Sequence, residues 1–230
     1  MYGVRINGIH SDELGLILTE KYISSPSVKI NKIEIPGRSG SIDLSEVLTG
    51  EPSYEDRTIK LTFYSKSKVH DWSAESSRID NLWCGKTVQI VFDDDISYFW
   101  KGRVTGVQPS YSGKNETIEI VATVDPYKYD ILSSTVDWEW DCFDFDNGII
   151  NEAGNLVVSG TTSFVLICRN KVSWPEFTVS DAMTLTDDGI TYNLAKGTQK
   201  LYRMFLHEGN NELIFNGNGT VSINYVGGQL

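Results

Sequence analysis

Cysteine and histidine are scarce in this chain of 230 residues. The three cysteines are Cys84, Cys142 and Cys168. No pair of them has the close spacing of a metal-binding motif, and an odd number argues against a disulfide framework. We therefore expect free thiols in a reducing compartment. The three histidines are His10, His70 and His207. They are isolated from one another in the sequence, which predicts neither a metal site nor a cofactor.

Basic residues are also few, with 20 Lys and Arg against 31 Asp and Glu and a formal net charge of −11. No basic stripe appears, so the sequence argues against groove recognition of nucleic acid, which needs clustered Lys and Arg. No run approaches the ~18 apolar residues of a membrane span. The N-terminal MYGVRINGIHSDELG lacks the apolar core of a signal peptide. We expect a protein without a membrane span that is made and kept in a cytosol.

Catalytic motifs are missing as well. Gly85-Lys86-Thr87 resembles the end of a phosphate-binding loop, but Asp80 stands where the first glycine is required. No Gly-x-Ser-x-Gly nucleophile elbow occurs, and no second histidine completes a zinc-protease motif after position 207. The acidic clusters at Asp93–Asp95 and at positions 141–146 fit solvated turns better than calcium loops. The sequence predicts that the protein is not an enzyme.

The patterns that are present favour β structure. Aromatic residues reach 11%, and large rings suit half-buried pleated surfaces. Thr58–Tyr64 alternates between apolar and polar residues, as a strand with one buried face does. Val28–Ile35 alternates too, apart from a double polar step at Asn31–Lys32 that suggests a bulge. Further strands are expected at Tyr2–Ile6, Leu14–Leu18, Thr87–Asp93, Tyr98–Val107 and Thr117–Val124.

One segment follows a helical period instead. Within Lys68–Cys84, one face carries Val69, Trp72, Ser76, Ile79 and Trp83. Ser67 is the expected cap at the start of this helix and Gly85 the expected stop. The sequence predicts a single helix near residues 68–84 that docks on a sheet.

The chain beyond Asp125-Pro126 reads as many short strands separated by turns rich in glycine, asparagine and aspartate. Among them, strands at Leu213–Phe215 and Val221–Tyr225 are expected on either side of a turn at Gly217-Asn218-Gly219. This spacing is typical of a β-sandwich of about 100 residues. We expect two domains, at residues 1–125 and 126–230. The predicted fold class is all-β with one flanking helix.

The order of motifs in residues 1–125 resembles the N-terminal domain of siphophage distal tail proteins, the Dit family. The segment Ile35–Phe63 matches the family's Pro-Gly-Arg-x-Gly loop, its Asp-containing turn and its Tyr-x-x-Arg step at Pro36, Gly37, Arg38, Gly40, Asp43, Tyr54 and Arg57. The helix and the strands that follow match at Trp72, Gly85, Lys86, Asp93–Asp95, Tyr98, Trp100, Gly102 and Arg103. The C-terminal GNNELIFNGNGTVSINYVGGQL resembles the close of the family's second domain, although His207-Glu208-Gly209 stands where Pro-Gly is common. Asp130–Asn170 has no such likeness.

The resemblance implies a structural protein of a phage or prophage tail, a baseplate hub assembled in the bacterial host cytoplasm and built into the virion tail. It implies an N-terminal split β-barrel related to tail-tube subunits and a C-terminal β-sandwich that is galectin-like or carbohydrate-module-like. Family members form a hexameric ring that joins the tube protein to the tail-tip protein and the adsorption apparatus for host attachment. Genomic DNA would pass through such a ring without specific binding.

The loop at Pro36–Tyr54 is long and rich in glycine and proline, and ordered loops of this length usually have a function. We expect it to pack on a neighbouring subunit, with the arginines pairing with acidic groups. The predicted interface residues are Arg38, Asp43, Glu46, Tyr54 and Arg57. The alternative interpretation is a set of solvated charges and a clasp within one subunit.

Two other functions are open at this stage. The second domain is alternatively a carbohydrate-binding adhesion module that recognises host wall polysaccharide. Its candidate sugar-stacking residues are Trp138, Trp140 and Trp174, and Tyr192 and Tyr202 offer further aromatic surfaces, although aromatic rings more often serve core packing. A β-sandwich hydrolase would use paired carboxylates, for which Glu139 and Asp141 are the nearest candidates, but alternate positions on one strand do not imply a cleft.

Overall fold

A computed structural model describes residues 2–47, 50–68, 71–112, 115–136, 152–169 and 172–230. The chain divides into two compact units. The first comprises the residues up to Asp95, Phe99–Lys128 and Leu230, and the second comprises Ile96–Tyr98 and Tyr129–Gln229. Strands dominate, and the described residues contain one α-helix. The predicted fold class is confirmed, and the predicted domain division at residue 125 stays a prediction.

The first unit is built on one large sheet. Its elements are β1 (Val4–Ile6), β2 (Ile9–His10), a 3-10 turn (Ser11–Leu14), β3 (Leu16–Ile23), β4 (Lys32–Glu34), β5 (Ser41–Asp43), β6 (Arg57–Ser65), α1 (Trp72–Trp83), β7 (Thr87–Phe92), β8 (Tyr98–Ser112) and β9 (Asn115–Asp130). The strand order β2-β1-β7-β8-β9-β6-β3 curls into a half-barrel. Among the described strands, β4 and β5 pair with each other and with no third strand.

The alternation predicted for Thr58–Tyr64 is present in β6. Its residues Ile59, Leu61 and Phe63 are all but fully buried, while Lys60 is exposed. The antiparallel register places these three opposite Ala122, Ile120 and Ile118 of β9, which are equally buried. Such cross-strand apolar pairs stabilise a sheet, so this stretch of the core follows from periodicity alone.

The helix buries the face that the sequence predicts, through Trp72, Ser76, Ile79 and Trp83. Gly85 follows it with φ +73°, as a helix stop does. The predicted start is wrong, because α1 begins at Trp72 after Asp71. Ser67 is not its cap: the Ser67 hydroxyl donates to Oε2 of Glu116 (3.2 Å), and its carbonyl accepts from Nε1 of Trp72 (3.2 Å). Val69 lies outside the described residues.

The strand predicted at Val28–Ile35 is largely wrong. Only Lys32–Glu34 forms a strand, and Val28 makes an isolated bridge with Tyr54. All eight residues of the segment are exposed. Periodicity identified two faces of different polarity, but no part of the described chain covers the apolar one.

The second unit is also a β structure. Its strands are β10 (Leu156–Cys168), β11 (Val172–Ser173), β12 (Glu176–Val179), β13 (Met183–Asp187), β14 (Ile190–Leu194), β15 (Gly197–Lys200), β16 (Phe205–Leu206), β17 (Gly209–Asn224) and β18 (Gly228–Gln229). One six-stranded sheet has the order β14-β13-β17-β12-β15, with β10 paired along β17, and β11 pairs with β16 in a small separate sheet.

The strand β17 unites two strands that the sequence separates at Gly217–Gly219. These glycines do not form a turn. A side chain at Gly217 would lie 2.5 Å from Cβ of Met183, and one at Gly219 would clash with Oγ of Ser180. The glycines therefore permit close approach to the neighbouring chain segment, which is the other common role of glycine inside a strand.

A guanidinium ties together three separate stretches of the second unit. Nη1 of Arg169 donates to the Tyr98 hydroxyl (2.6 Å) and to Oε1 of Gln229 (3.3 Å), and Nη2 donates to Oδ1 of Asp130 (2.7 Å). Because a hydrogen bond with one charged partner is stronger than a neutral one, the Arg169 guanidinium helps to hold Tyr98 within the second unit.

Candidate functional site

The residues between β3 and β6 form an arm, which we define as residues 24–56 and which is described except at 48 and 49. Its two limbs run antiparallel and are joined by the β4–β5 pairing. Backbone hydrogen bonds brace them elsewhere, from Lys29 to Ser53 (2.7 Å), from Glu55 to Ser27 (2.8 Å) and from Leu44 to Asn31 (2.8 Å). The arm is thus an ordered extension rather than an irregular loop.

The arm exposes an unusual amount of apolar surface. Every residue from 27 to 41 is exposed. The exposed fractions of its large aliphatic residues are 47% for Val28, 62% for Ile30, 52% for Ile33, 42% for Ile35 and 68% for Val47. Exposed apolar residues grouped in one element indicate a contact surface. The sequence did not indicate Val28, Ile30, Ile33 and Ile35 as contact residues, because their alternation is also typical of a strand with one buried face.

Three of the predicted interface residues lie on the part of the arm that is distant from the sheet in the chain. Arg38 and Glu46 are exposed, and the backbone N–H of Arg38 donates to the Ile35 carbonyl (3.1 Å) in the turn between β4 and β5. Oδ1 of Asp43 accepts from both the hydroxyl (2.5 Å) and the N–H (2.9 Å) of Ser45. These two hydrogen bonds hold the pKa of Asp43 below its ordinary value, so the carboxylate is charged at neutral pH.

The other two predicted residues lie at the root of the arm. Tyr54 is half-buried, with its ring edge-on to Tyr127 at 6.0 Å between centroids. Arg57 is only 9% exposed. Its Nε donates to the Ser24 carbonyl (2.7 Å), and its guanidinium lies over the Trp100 ring at 4.7 Å. The structure places Arg57 inside its own subunit, so we leave it out of the contact surface.

Arg57 instead fixes the two ends of the arm to the sheet. Ser24 directly follows β3 and is the first residue of the arm. Its hydroxyl also accepts a hydrogen bond from the N–H of Thr58 (2.9 Å). Nη1 of Arg57 reaches the Pro126 carbonyl at 3.5 Å. Burial lowers the pKa of Arg57, but a guanidinium starts so far above neutral pH that it stays charged. Sequence reasoning missed Ser24 and Trp100 as partners because both are distant from Arg57 in the chain.

We expect Arg57→Ala to lower the free energy of unfolding of the first unit by about 2–3 kcal/mol, because the Ser24 carbonyl loses a charged donor and Trp100 loses its cation. Arg57→Lys should restore only part of this stability, since an ammonium group cannot stack flat on the Trp100 ring and donate to the Ser24 carbonyl at the same time. Urea denaturation measures the effect. Arg38→Ala is the matched control and should change stability by less than about 0.5 kcal/mol. Equal stability of Arg57→Ala and the parent protein would contradict the internal role.

The sugar-stacking candidates have different outcomes. Trp138 and Trp140 lie outside the described residues. Trp174 is 52% exposed and has φ +60°. For a bulky residue this backbone conformation is an outlier that costs on the order of 1–3 kcal/mol. The Tyr202 ring, 71% exposed, lies 5.9 Å from the Trp174 ring between centroids, with a tilt of 59°. Sequence reasoning grouped Tyr202 with other possible stacking residues but did not pair it with Trp174.

The described residues contain no group of three or more His, Cys, Asp or Glu side chains placed to hold a metal ion. No helix in the described part of the chain is long and apolar enough to cross a membrane. Cys84 is a free thiol at the surface and Cys168 a free thiol in the interior, where burial raises the pKa of Cys168 to about 11.

Comparison with known proteins gives a structural likeness and no sequence match. No family model matches the chain, and no curated protein matches it. Among solved structures, the chain is similar to the Dit protein (gp 19.1) of phage SPP1, described as a paradigm of the hub adsorption apparatus in phages that infect Gram-positive bacteria. The identity is 14%, the match covers 100% of both chains, and the TM-score is 0.65.

Two structures of the phage p2 baseplate in its activated conformation are more distant. The strontium form shares 10% identity over 98% of each chain, with a TM-score of 0.43. The calcium form shares 12% identity over 97% of this chain and 98% of that one, with a TM-score of 0.46. At these identities the likeness to the SPP1 protein shows the fold. The chain therefore has the fold of that Dit protein, and the match spans both chains. The motif order predicts this likeness for residues 1–125.

Proposed function

We propose that the protein is a ring-forming hub subunit of a siphophage tail tip, which joins the tail tube to the tail-tip protein and the adsorption apparatus. The observation that carries this proposal is the arm, whose residues 27–41 are all exposed and include four large aliphatic side chains. A folded subunit gains nothing from ordering such a surface unless another molecule covers it. The fold it shares with the SPP1 protein supports the same conclusion.

The charges of the arm suit a contact between unlike surfaces. The first limb (24–42) carries Lys29, Lys32 and Arg38 against Glu34, a net charge of 3 − 1 = +2. The second limb (43–56) carries five acidic residues and no basic one, a net charge of −5. A closed ring needs heterologous interfaces, in which one patch of each subunit meets a different patch of the next. A basic limb facing an acidic surface of the neighbour meets this requirement, with Arg38, Asp43 and Glu46 in the contact and Tyr54 at its edge.

The number of subunits follows from the family resemblance, which implies six. Six copies carry 6 × −11 = −66 formal charges. Acidic residues facing the central channel would let genomic DNA pass without binding, because like charges offer no attractive site. In this proposal the ring is assembled in the bacterial cytoplasm and becomes part of the virion tail, where it contributes to host attachment through its partners.

Mass measurement tests the proposal directly. Light scattering at high protein concentration, with negative-stain imaging of the same sample, should show closed rings whose averages have six-fold symmetry. Each contact should bury at least ~1,000 Å², the lower bound for a stable interface. Monomers at every concentration, both alone and after mixing with the tube and tail-tip proteins, would overturn the proposal.

The carbohydrate-binding alternative now depends on one of its three predicted tryptophans. Trp174 is placed at the surface beside a second exposed ring. The ring pair belongs to the second unit, whereas the arm belongs to the first.

A further inference from the structure

The sheet of the first unit carries an open groove on the face that points away from the core. The groove has a volume of about 530 Å³ and is formed by residues of β3, β6 and β9 together with Ser24, the first residue of the arm. The side chains that define its chemistry are Glu20, Tyr22, Lys60, Thr62 and Glu119. All five are exposed or half-buried, so the groove is a surface of the subunit and not part of its packing.

Two carboxylates flank the floor of this groove. The antiparallel registers place Glu20 of β3 opposite Thr62 of β6, and Thr62 opposite Glu119 of β9. Because neighbouring strands are about 4.8 Å apart, the two glutamates stand roughly 10 Å from each other across Thr62. Within the described residues, neither glutamate side chain has an ion pair or a hydrogen bond, and Lys60 has none either. The groove therefore has a net charge of 1 − 2 = −1 that the subunit leaves unpaired.

An aromatic ring lies beside the carboxylates. Tyr22 is opposite Lys60 in the β3–β6 register, and it is 52% exposed. A guanidinium can stack on an aromatic face while its N–H groups pair with carboxylates, whereas an ammonium lacks this planar geometry. The combination of one ring and two acidic side chains therefore suits an arginine better than a lysine.

The turn of the arm carries a guanidinium that its own subunit does not pair. Arg38 is exposed in the turn between β4 and β5, and no described residue forms an ion pair with its side chain. Lys32, the cation of β4, lies opposite Asp43 in the β4–β5 register and is offset by that carboxylate. Ile33 and Ile35 precede the turn with exposed fractions of 52% and 42%. The turn thus presents an unpaired cation next to exposed apolar side chains.

The arm holds this turn away from the groove of the same subunit. Its two limbs are hydrogen-bonded to each other from Ser27 to Glu34, so the arm is a braced hairpin that does not fold back freely. An extended strand rises about 3.3 Å per residue, which puts the turn up to about 35 Å from Ser24. Ser24 lines the groove, and none of the described residues of the turn does so. The groove is therefore open to the turn of another copy.

We propose that the groove receives the turn of the arm from the next copy of the chain, with the Arg38 guanidinium between Glu20 and Glu119 and against the Tyr22 ring. This assignment rests on the ring proposed above and names the acceptor surface that such a ring needs. The turn and the groove are different patches of one chain, as a heterologous contact requires. Their charges are complementary, which fixes the register of a contact and excludes wrong partners.

Charge reversal on either side of the contact tests the proposal. Arg38→Glu places like charges in every contact of the ring, and so does the double variant Glu20→Arg, Glu119→Arg. Each variant alone should need a protein concentration at least about a hundredfold higher than the parent to form rings, because like charges that face each other in a contact are strongly repulsive. Light scattering and negative-stain imaging measure ring formation, and thermal melting checks that each subunit still folds.

A mixture of the two variants should form rings again. The acidic turn of the first variant meets the basic groove of the second, and the unchanged turn of the second meets the unchanged groove of the first. Every contact is then attractive, provided that the two variants alternate around the ring. A ring with an even number of subunits, such as the six proposed above, can close in this way. Native mass spectrometry should find the two variants in equal numbers.

Arg203→Glu and Glu208→Arg are the matched controls, because both residues are exposed in the second unit, and each variant should form rings as the parent does. Normal rings from a turn or groove variant alone, or no rings from the mixture, would refute the groove assignment and leave ring formation itself standing. The same holds if groove reversal abolishes binding of the tube or tail-tip protein while rings persist, since the groove would then belong to that partner. A parent protein that forms no ring would overturn the ring and the groove together.

Discussion

The double variant Ile30→Asp, Ile33→Asp is expected to remain monomeric under conditions in which the parent protein forms rings. The two side chains are 62% and 52% exposed in the subunit. Exchanging them for aspartate should therefore change the stability of the monomer by less than about 1 kcal/mol. In the ring, however, each aspartate would bring an unpaired charge into an apolar contact, which costs several kcal/mol. Every contact of the ring carries both substitutions, so closure is lost.

Light scattering and negative-stain imaging measure this effect, and thermal melting checks that the subunit still folds. Val157→Asp is the matched control. Val157 is 69% exposed on β10 of the second unit, so this substitution introduces the same charge at a comparably exposed aliphatic position that is not part of the arm. The control should form rings. Rings of normal size from the double variant would show that the arm is not the contact surface.

A single methyl group at Gly102 is expected to destabilise the first unit by about 3 kcal/mol or more, a cost typical of severe overpacking. Gly102 lies in β8, where a Cβ atom would clash with the carbonyl oxygen of Thr123 and with Cα of Val124 in β9. Both are backbone atoms, so no side chain can rotate to make room. The two strands would have to separate in the middle of the half-barrel.

Gly106→Ala is the control for Gly102→Ala, because it lies in the same strand and a Cβ there would meet only the end of the Gln108 side chain, at 3.9 Å. We expect Gly106→Ala to be neutral or slightly stabilising, since alanine restricts the unfolded chain. Gly102→Ala should lower the melting temperature of the first unit by roughly 6–12 °C. Equal melting of the two variants would mean that β8 and β9 do not approach as closely as described.

The sequence predicts the parts of the fold in which local pattern and burial coincide. Ile59, Leu61 and Phe63 alternate because one face of β6 is covered by the subunit itself. Trp72, Ile79 and Trp83 follow a helical period for the same reason. In both cases the apolar face is buried by other residues of the same subunit, so the periodicity of the sequence is sufficient to predict which residues are buried.

Prediction fails where the cause of a pattern lies outside the segment. Val28–Ile35 alternates like a core strand, yet all of it is exposed; periodicity does not say which molecule covers the apolar face. Gly217 and Gly219 suggest a turn, but glycine is needed at both positions because residues 180–183 lie too close to leave room for a Cβ atom. The partners of Arg57 were equally out of reach, because Ser24 and Trp100 approach it only through tertiary contacts.

The inclusion of Ile96–Tyr98 in the second unit has a consequence for chimaeric proteins made by recombination between related genes. The Tyr98 hydroxyl accepts a hydrogen bond from Arg169, so a fragment that begins at residue 126 lacks a piece of its own structure. After a single crossover near residue 125, position 98 would come from one parent and position 169 from the other, so the two hydrogen-bonding partners would have different origins. Chimaeras should therefore tolerate two crossovers, which transfer residues 96–98 together with the remainder, better than one.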